Sequence, residues 1–292
     1  MRILVTGVSG FSGSFVARRL ARTGHEVVGT YRSNTPFLAR VANAGIKAVR
    51  IELAEAAYLP GPFDAVVHVA ATSAAPRIDV ARIVHDNVTS TAALADAAER
   101  WNSRAFVFFS SLSLYGDLAG PVVDESTPII NPEAYGATKH LGELLLAERA
   151  EHFPSLALRL PGIIGPGAHR NWMSKVSDKL RAGQVIRAFN LDKPFNNAAH
   201  IADIAALIEH VLTHPWRGFD ALVLGARGAI PVREAIERLA RGLGVSARIE
   251  EAPATKSPFM LSSERAICRW GYDPMDIGAM IDRYAKDVRD GE

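Results

Sequence analysis

The sequence predicts a doubly wound α/β domain followed by a smaller C-terminal lobe, and three observations carry that expectation. Short runs rich in Val, Ile and Phe alternate with helical stretches as far as residue 160, the pattern of parallel strands joined by crossover helices. A glycine-rich turn, Thr6-Gly7-Val8-Ser9-Gly10-Phe11-Ser12-Gly13, follows the first run and opens the first helix. Beyond Pro161 the alternation weakens into loops around Gly162–Gly167 and Leu191–Asn197. The expected division is residues 1–160 plus about 198–225 for the larger domain, and 161–197 plus 226–292 for the smaller.

In chain order, strands are expected at Arg2–Thr6, Glu26–Thr30, Lys47–Ile51, Ala65–Val69, Ala105–Ser110 and Leu156–Leu160. Helices are expected at Gly13–Thr23, Asn87–Trp101 and Pro132–Glu151, the third capped by Asn131 with Pro132 at its first position. The tail adds a helix at Ile201–Thr213, a strand at Ala221–Leu224 and a helix at Val232–Gly242. With 48% hydrophobic and 22% charged residues over 292 positions, the chain has ample material for a packed core.

Charge excludes some partners. The 33 basic and 31 acidic residues leave a net charge of +2 with no block of one sign, so no nucleic-acid partner is expected. No apolar run is long enough to span a bilayer, and the amino terminus is too short in apolar residues for a signal peptide. Cys268 is the single cysteine, which rules out an intrachain disulfide and fits a reducing, cytoplasmic setting.

The glycine turn has the spacing G-x-x-G-x-x-G at a strand-to-helix junction, where backbone N–H groups and the helix dipole can hold a pyrophosphate. Folds of this kind often carry an acidic residue about twenty positions further on that binds the adenosine ribose. Between Val27 and Ile51 there is no Asp or Glu; the second strand ends Thr30-Tyr31-Arg32-Ser33. A guanidinium beside a hydroxyl suits a 2′-phosphate, so NADP is expected, with NAD as the alternative.

The fifth strand runs into Ser110-Ser111-Leu112-Ser113-Leu114-Tyr115-Gly116, and downstream comes Tyr135-Gly136-Ala137-Thr138-Lys139. Four-residue spacing puts Tyr135 and Lys139 on one helix face. A free phenol, with a pKa of about 10, is a poor proton carrier at neutral pH. A neighbouring ammonium and an oxidised nicotinamide would both lower that value. Ser111 would hydrogen-bond the reacting oxygen.

These motifs, with His68-Val69-Ala70-Ala71, Asn87, Arg159 through Gly165-Pro166-Gly167, and His200-Ile201-Ala202-Asp203, resemble the extended short-chain dehydrogenase/reductase family in its NAD-dependent epimerase/dehydratase branch. The resemblance spans about two thirds of the chain. It implies a Rossmann-like domain, a substrate-binding lobe, a homodimer through helices near 87–101 and 132–151, and catalysis by Ser111, Tyr135 and Lys139. Ser111 is preferred over Ser110 because it lies four residues before Tyr115 in the family's pattern. The expected cofactor contacts are Gly7, Gly10, Phe11, Ser12, Gly13, Tyr31, Arg32, Ser33, Glu52, Leu53, Val69, Ala70, Ala71, Asn87, Tyr135, Lys139, Pro161 and Ile163. The expected substrate contacts are Thr72, Ser73, Arg77, Ser113, Gly162, Arg170, Phe189 and Asn197.

Three departures bear on the substrate. The family's dehydratases resemble Thr-Asp-Glu where this chain has Ser111-Leu112-Ser113, which disfavours dehydration. Nucleotide-sugar enzymes often carry Asn at Gly162 and Arg-Asp at Asn196-Asn197. A lost arginine weakens the case for a diphosphate, although Arg170, Lys175, Arg181 and Arg187 could replace it. Phe189 either packs in the lobe's core or stacks on a base; Arg77 either reaches substrate or stays in solvent. The nine histidines are dispersed, the single four-spaced pair, His210 and His214, is read as structural or solvated, and no G-x-S-x-G elbow is present. The expected activity is NADP-dependent reduction of a keto group on a sugar nucleotide. The alternatives are a nucleotide-sugar epimerase and a non-catalytic NADP sensor.

Overall fold

Strand β1 (Arg2–Thr6) encloses Ile3, Leu4 and Val5 completely, so its apolar run shows no in-and-out alternation. That is the signature of a central strand covered on both faces. Residues 1–73, 78–254 and 256–291 are described in this computed structural model, and they divide into two units. The first unit comprises Met1–Asp117, Pro128–Arg159 and Ala205–Leu222; the second comprises Leu118–Thr127, Leu160–Ile204 and Val223–Glu292.

In the first unit, β1 is followed by α1 (Phe11–Arg22), β2 (Glu26–Tyr31), α2 (Pro36–Asn43), β3 (Lys47–Arg50) and β4 (Ala65–His68). The chain continues through α3 (Val80–Val84), a π-turn (His85–Thr89), α4 (Ser90–Arg100), β5 (Ala105–Ser111) and α5 (Ala134–Glu148). The seven-stranded sheet has the order Phe219–Val223, Ser155–Leu160, β5, β4, β1, β2, β3. Its β1–β2, β2–β3, β1–β4 and β4–β5 pairs are parallel. The order reverses between β1 and β4, and right-handed crossovers then send helices to opposite faces. Thr6 is level with both Thr30 and His68, so three strand ends meet where a ligand crevice forms in such sheets. Leu4, Val66, Leu94, Ala98, Phe106, Phe108 and Phe153 form one buried cluster of this unit.

The second unit has its own core, in which Leu180, Ile236, Leu239, Met280, Ile281 and Tyr284 meet. They come from the helices Trp172–Arg181, Val232–Leu243 and Ile277–Asp290. Within the stretch expected as loop, Gly162–Ile164 is a short strand paired in parallel with Ala198–His200. His200 Nε2 lies 2.8 Å from Asp287 Oδ2 and fastens that pair to the last helix. Among the described residues, no helix is long and apolar enough to cross a membrane.

One expected boundary is corrected. Helix α5 begins at Ala134 with Glu133 as its cap, not at Pro132 with Asn131 capping. Asn131 adopts φ 49°, and the preceding residues are held in a strand-like bridge, with Ile130 N–H donating to Tyr115 O and Asp117 N–H donating to Ile130 O. The extended backbone must end before helical geometry starts.

Candidate active site

The glycine turn is built by close approach. A Cβ on Gly13 would lie 2.3 Å from Gly7 O, so α1 can lean onto the turn only because that position has no side chain. Gly10 caps α1 without a side-chain hydrogen bond, leaving the helix amino end to whatever acceptor reaches it. Among the expected contacts here, Phe11 and Gly13 are buried, Ser12 is half-buried and Gly10 is exposed. This geometry fits a pyrophosphate.

Behind the turn, Thr6 joins β1 to β4. Its Oγ1 accepts from Val69 N–H at 3.1 Å and Ala70 N–H at 3.0 Å. Thr91 Oγ1 donates to Asn87 O at 2.6 Å, so it accepts from His68 Nε2 at 3.1 Å; His68 Nδ1 then accepts from the Thr6 hydroxyl at 2.9 Å. Burial, with Lys139 nearby, pushes the His68 pKa down to about 3, so the ring is neutral and acts as a strut.

Arg32, expected at a 2′-phosphate, is engaged by a carboxylate through one nitrogen, with its side chain 49% exposed. Its Nη1 donates to Asp86 Oδ2 at 2.9 Å, and Asp86 is 6% exposed. Tyr31 is half-buried and Ser33 exposed at the end of β2; Glu52 pairs with Arg82 at 3.5 Å, and Leu53 caps a short turn. Ala71 and Ser73 are exposed, whereas Thr72 is buried and its N–H donates to Asn87 Oδ1 at 2.8 Å. Arg77 lies outside the described residues.

Ser111, Tyr135 and Lys139 come together. A Cβ on Gly136 would lie 2.0 Å from Ser113 O, so this glycine lets α5 settle against the turn after β5. The Ser111 hydroxyl, close enough to the phenol to favour its charged form, lies 3.2 Å from that of the exposed Ser113. Lys139 is 2% exposed, with Nζ 4.6 Å from the Phe108 ring centre and 5.8 Å from that of Tyr135. The expected acidic phenol is not what the protein alone produces. Burial pushes Tyr135 up to about 12 against the opposing Ser111 hydrogen bond. Burial also pushes Lys139 down to about 7 against the pull of Glu143, which weakens the ammonium meant to acidify the phenol.

Ser110 is committed elsewhere: its hydroxyl donates to Glu143 Oε1 at 2.6 Å. Glu143 is 3% exposed and receives Arg159 through Nε at 3.1 Å and Nη2 at 2.7 Å, while Arg159 Nη1 donates to Tyr115 Oη at 2.8 Å. This buried network lies on α5 one turn beyond Lys139. Sequence reasoning missed Glu143, although its spacing of four from Lys139 was visible, and it missed Asp86, adjacent to Asn87.

The second unit holds the remaining expected contacts. Pro161, Gly162 and Ile163 are half-buried, and Ile163 O accepts from Asn171 Nδ2 at 2.7 Å. Arg170 is exposed with φ 65°. Phe189 is 38% exposed, which removes the core-packing alternative. Asn196, where an arginine was noted as missing, is buried and tied to Leu261: Nδ2 donates to Leu261 O at 2.8 Å and Oδ1 accepts from Leu261 N–H at 2.9 Å. Asn197 Oδ1, by contrast, is buried with no hydrogen-bond partner among the described residues.

Comparison with known proteins agrees with this arrangement. A UDP-glucose 4-epimerase of Streptomyces lividans is 29% identical over 272 residues, covering 83% of this chain and 81% of that protein. A dTDP-glucose 4,6-dehydratase of Streptomyces griseus is 36% identical over 166 residues, 51% of this chain and 50% of that protein. The crystal structure of the Bordetella bronchiseptica enzyme WbmG in complex with NAD matches with a TM-score of 0.85 at 22% identity, covering 100% of this chain and 95% of that one, and shares the fold. The description of the NAD dependent epimerase/dehydratase family fits residues 3–225, which hold the glycine turn, the switch-point strands and the Ser–Tyr–Lys group, and the chain belongs to that family of enzymes.

Proposed function

We propose that this enzyme is a nucleotide-sugar epimerase that uses NAD, acting at a sugar carbinol carbon such as C4. The observation that carries the reading is the buried Lys139 with its Nζ 5.8 Å from the Tyr135 ring centre, beside the Ser111 hydroxyl that favours the charged phenol. Reduction by NADPH was the first expectation, and its argument was a phosphate-binding Arg32. The Arg32–Asp86 pair competes with that role, and relatives named as UDP-sugar epimerases favour the internal redox cycle.

A nicotinamide dinucleotide with its pyrophosphate at the β1–α1 turn would supply reversible hydride acceptance and, when oxidised, a positive charge that favours phenolate. Tyr135 takes the hydroxyl proton of the sugar and gives it back after the keto sugar has turned over. Ser111 holds the reacting oxygen, and Lys139 steadies the charge on the phenol. Asn197 offers its unpartnered Oδ1 to a sugar hydroxyl or a base N–H. Arg170, Lys175 and Arg181 are exposed cations for a diphosphate, whereas Arg187 already pairs with Glu250. We assign a second copy of the chain as the partner, through α5 and, in place of the expected helix near 87–101, through α3, where Val80 and Val84 are exposed.

The test is incubation of purified enzyme with UDP- and dTDP-sugars, followed by proton NMR. Epimer exchange without net NAD(P)H consumption is expected; stoichiometric NADPH oxidation to a reduced sugar would restore the reductase reading. Tyr135→Phe is expected to lower kcat by about 10³-fold while NAD affinity stays within a few fold.

A further inference from the structure

Asp86 is a buried carboxylate that the proposed reaction does not use. It lies in the π-turn His85–Thr89, an irregularity often found at functional sites. Three donors converge on it: Thr72 Oγ1 at 2.6 Å and Arg32 Nη1 at 2.9 Å on Oδ2, and Arg82 Nε at 2.8 Å on Oδ1. Burial pushes its pKa up, but the hydrogen bonds from Thr72, Arg82 and Arg32 outweigh that and hold it below the ordinary carboxylate value. Asp86 is therefore an anion at neutral pH. Arg82 also faces Glu52 at 3.5 Å, and Arg50 Nε donates to Arg32 O at 3.2 Å, so three guanidinium groups and two carboxylates gather at this edge.

We propose that Asp86 sets the cofactor preference: by engaging Arg32 it keeps the guanidinium from serving a 2′-phosphate and leaves the end of β2 suited to the free ribose hydroxyls of NAD. This rests on the reading that the glycine turn binds a nicotinamide dinucleotide. A 2′-phosphate would bring up to two negative charges toward a fixed anion. Asp86 has no room to yield, because Thr72 and Arg82 hold it from other sides. The same turn presents the adjacent Asn87, whose Nδ2 donates to Thr72 O at 2.9 Å and to Thr138 Oγ1 at 3.0 Å; Thr138 Oγ1 donates to Tyr135 O at 2.8 Å. Hydrogen bonds thus run from Arg32 to the backbone of the catalytic tyrosine, and the isosteric Asp86→Asn removes the charge while keeping an acceptor for Thr72.

The test is calorimetric binding of NAD and NADP to the wild type and variants. Asp86→Asn is expected to tighten NADP relative to NAD by at least tenfold, about 1.4 kcal/mol, and adding Arg32→Ala should cancel that gain. An unchanged ratio in a folded Asp86→Asn protein overturns the proposal. Should that variant not fold, Arg32→Ala alone decides. A change of less than threefold in the NADP-to-NAD ratio supports an Arg32 already taken up by Asp86, and a larger loss of NADP binding overturns it. A wild type that binds neither nucleotide overturns the dinucleotide reading as well, a result distinct from an unchanged ratio.

Discussion

Lys139 sits against the Phe108 ring with almost no access to water, and burial brings its pKa from 10.5 down to about 7. Between those values the unfolded chain holds a proton that the folded chain releases, so stability rises with pH across that window. The destabilisation is complete below about pH 7. Lys139→Met removes the titrating group and keeps the stem, so the variant should be more stable than wild type at pH 6.5, by on the order of 2–4 kcal/mol, and inactive. The difference should shrink toward pH 10. Tyr135 works in the opposite sense, since its raised pKa adds stability that is lost as pH climbs from 10 toward 12, so urea melts belong between pH 6.5 and 10. A stability difference that does not change over that range would show that Lys139 is not held near neutrality. Residues such as Ser111, Tyr135 and Lys139 were legible in the sequence because the spacing within a strand end and a helix fixes their neighbours. The ion pair of Arg32 was not legible because its partner lies 54 positions away, and no local pattern reports a contact made by the fold.

At the scale of elements, β1, β4 and β5 were legible because strands buried on both faces are spelled as near-continuous apolar runs. Helix α2 was missed, although Thr35 followed by Pro36 is a start signal; the Thr35 hydroxyl oxygen accepts from Phe37 N–H at 3.2 Å. The two- and three-residue strands of the second unit, such as Met260–Leu261 against Val122–Val123, are too short for any periodicity to show. The π-turn was hidden for another reason: its extra residue is fixed by hydrogen bonds, including the Ser90 hydroxyl to Asp86 O and Thr91 to Asn87 O, and not by composition. The junction of α5 with the turn after β5 carries an element-scale prediction. In Gly136→Ala the new Cβ would meet the backbone oxygen of Ser113, so α5 must retreat by a fraction of an ångström to an ångström. We expect kcat/KM to fall about 100-fold with a loss of roughly 1–3 kcal/mol in stability. Gly120→Ala, where a Cβ meets nothing within 4 Å, is the control and should change neither. Equal activity in both variants would mean that the Ser111–Tyr135 alignment does not depend on this contact.

At the scale of the whole molecule, the near balance of 33 basic and 31 acidic residues leaves little net charge to steer association, so a second copy is expected to dock through apolar surface. Helices α3 and α5 touch, and both show apolar side chains to solvent: Val80 at 58% and Val84 at 40% on α3, Leu141 at 43% and Leu144 at 52% on α5. Leu141 and Leu144 are three apart and share a helix face, while Lys139 and Glu143 on the same helix are buried. One side of α5 therefore buries Lys139 and Glu143, and another shows two leucines to solvent. A twofold arrangement suits such a face, because the same patch on each copy then meets its own image. Light scattering at micromolar concentration should give twice the 31.5 kDa of one chain. Replacing both leucines in Leu141→Glu/Leu144→Glu should yield a folded monomer, since two charges on each copy would be brought together without counter-ions. Activity in that monomer separates two roles for the interface. A kcat/KM lowered along with the melting temperature would mean that the partner steadies α5 and, through it, Tyr135; a monomer that melts lower but turns over normally would confine the interface to stability. A wild type that is already monomeric would end the argument for this surface.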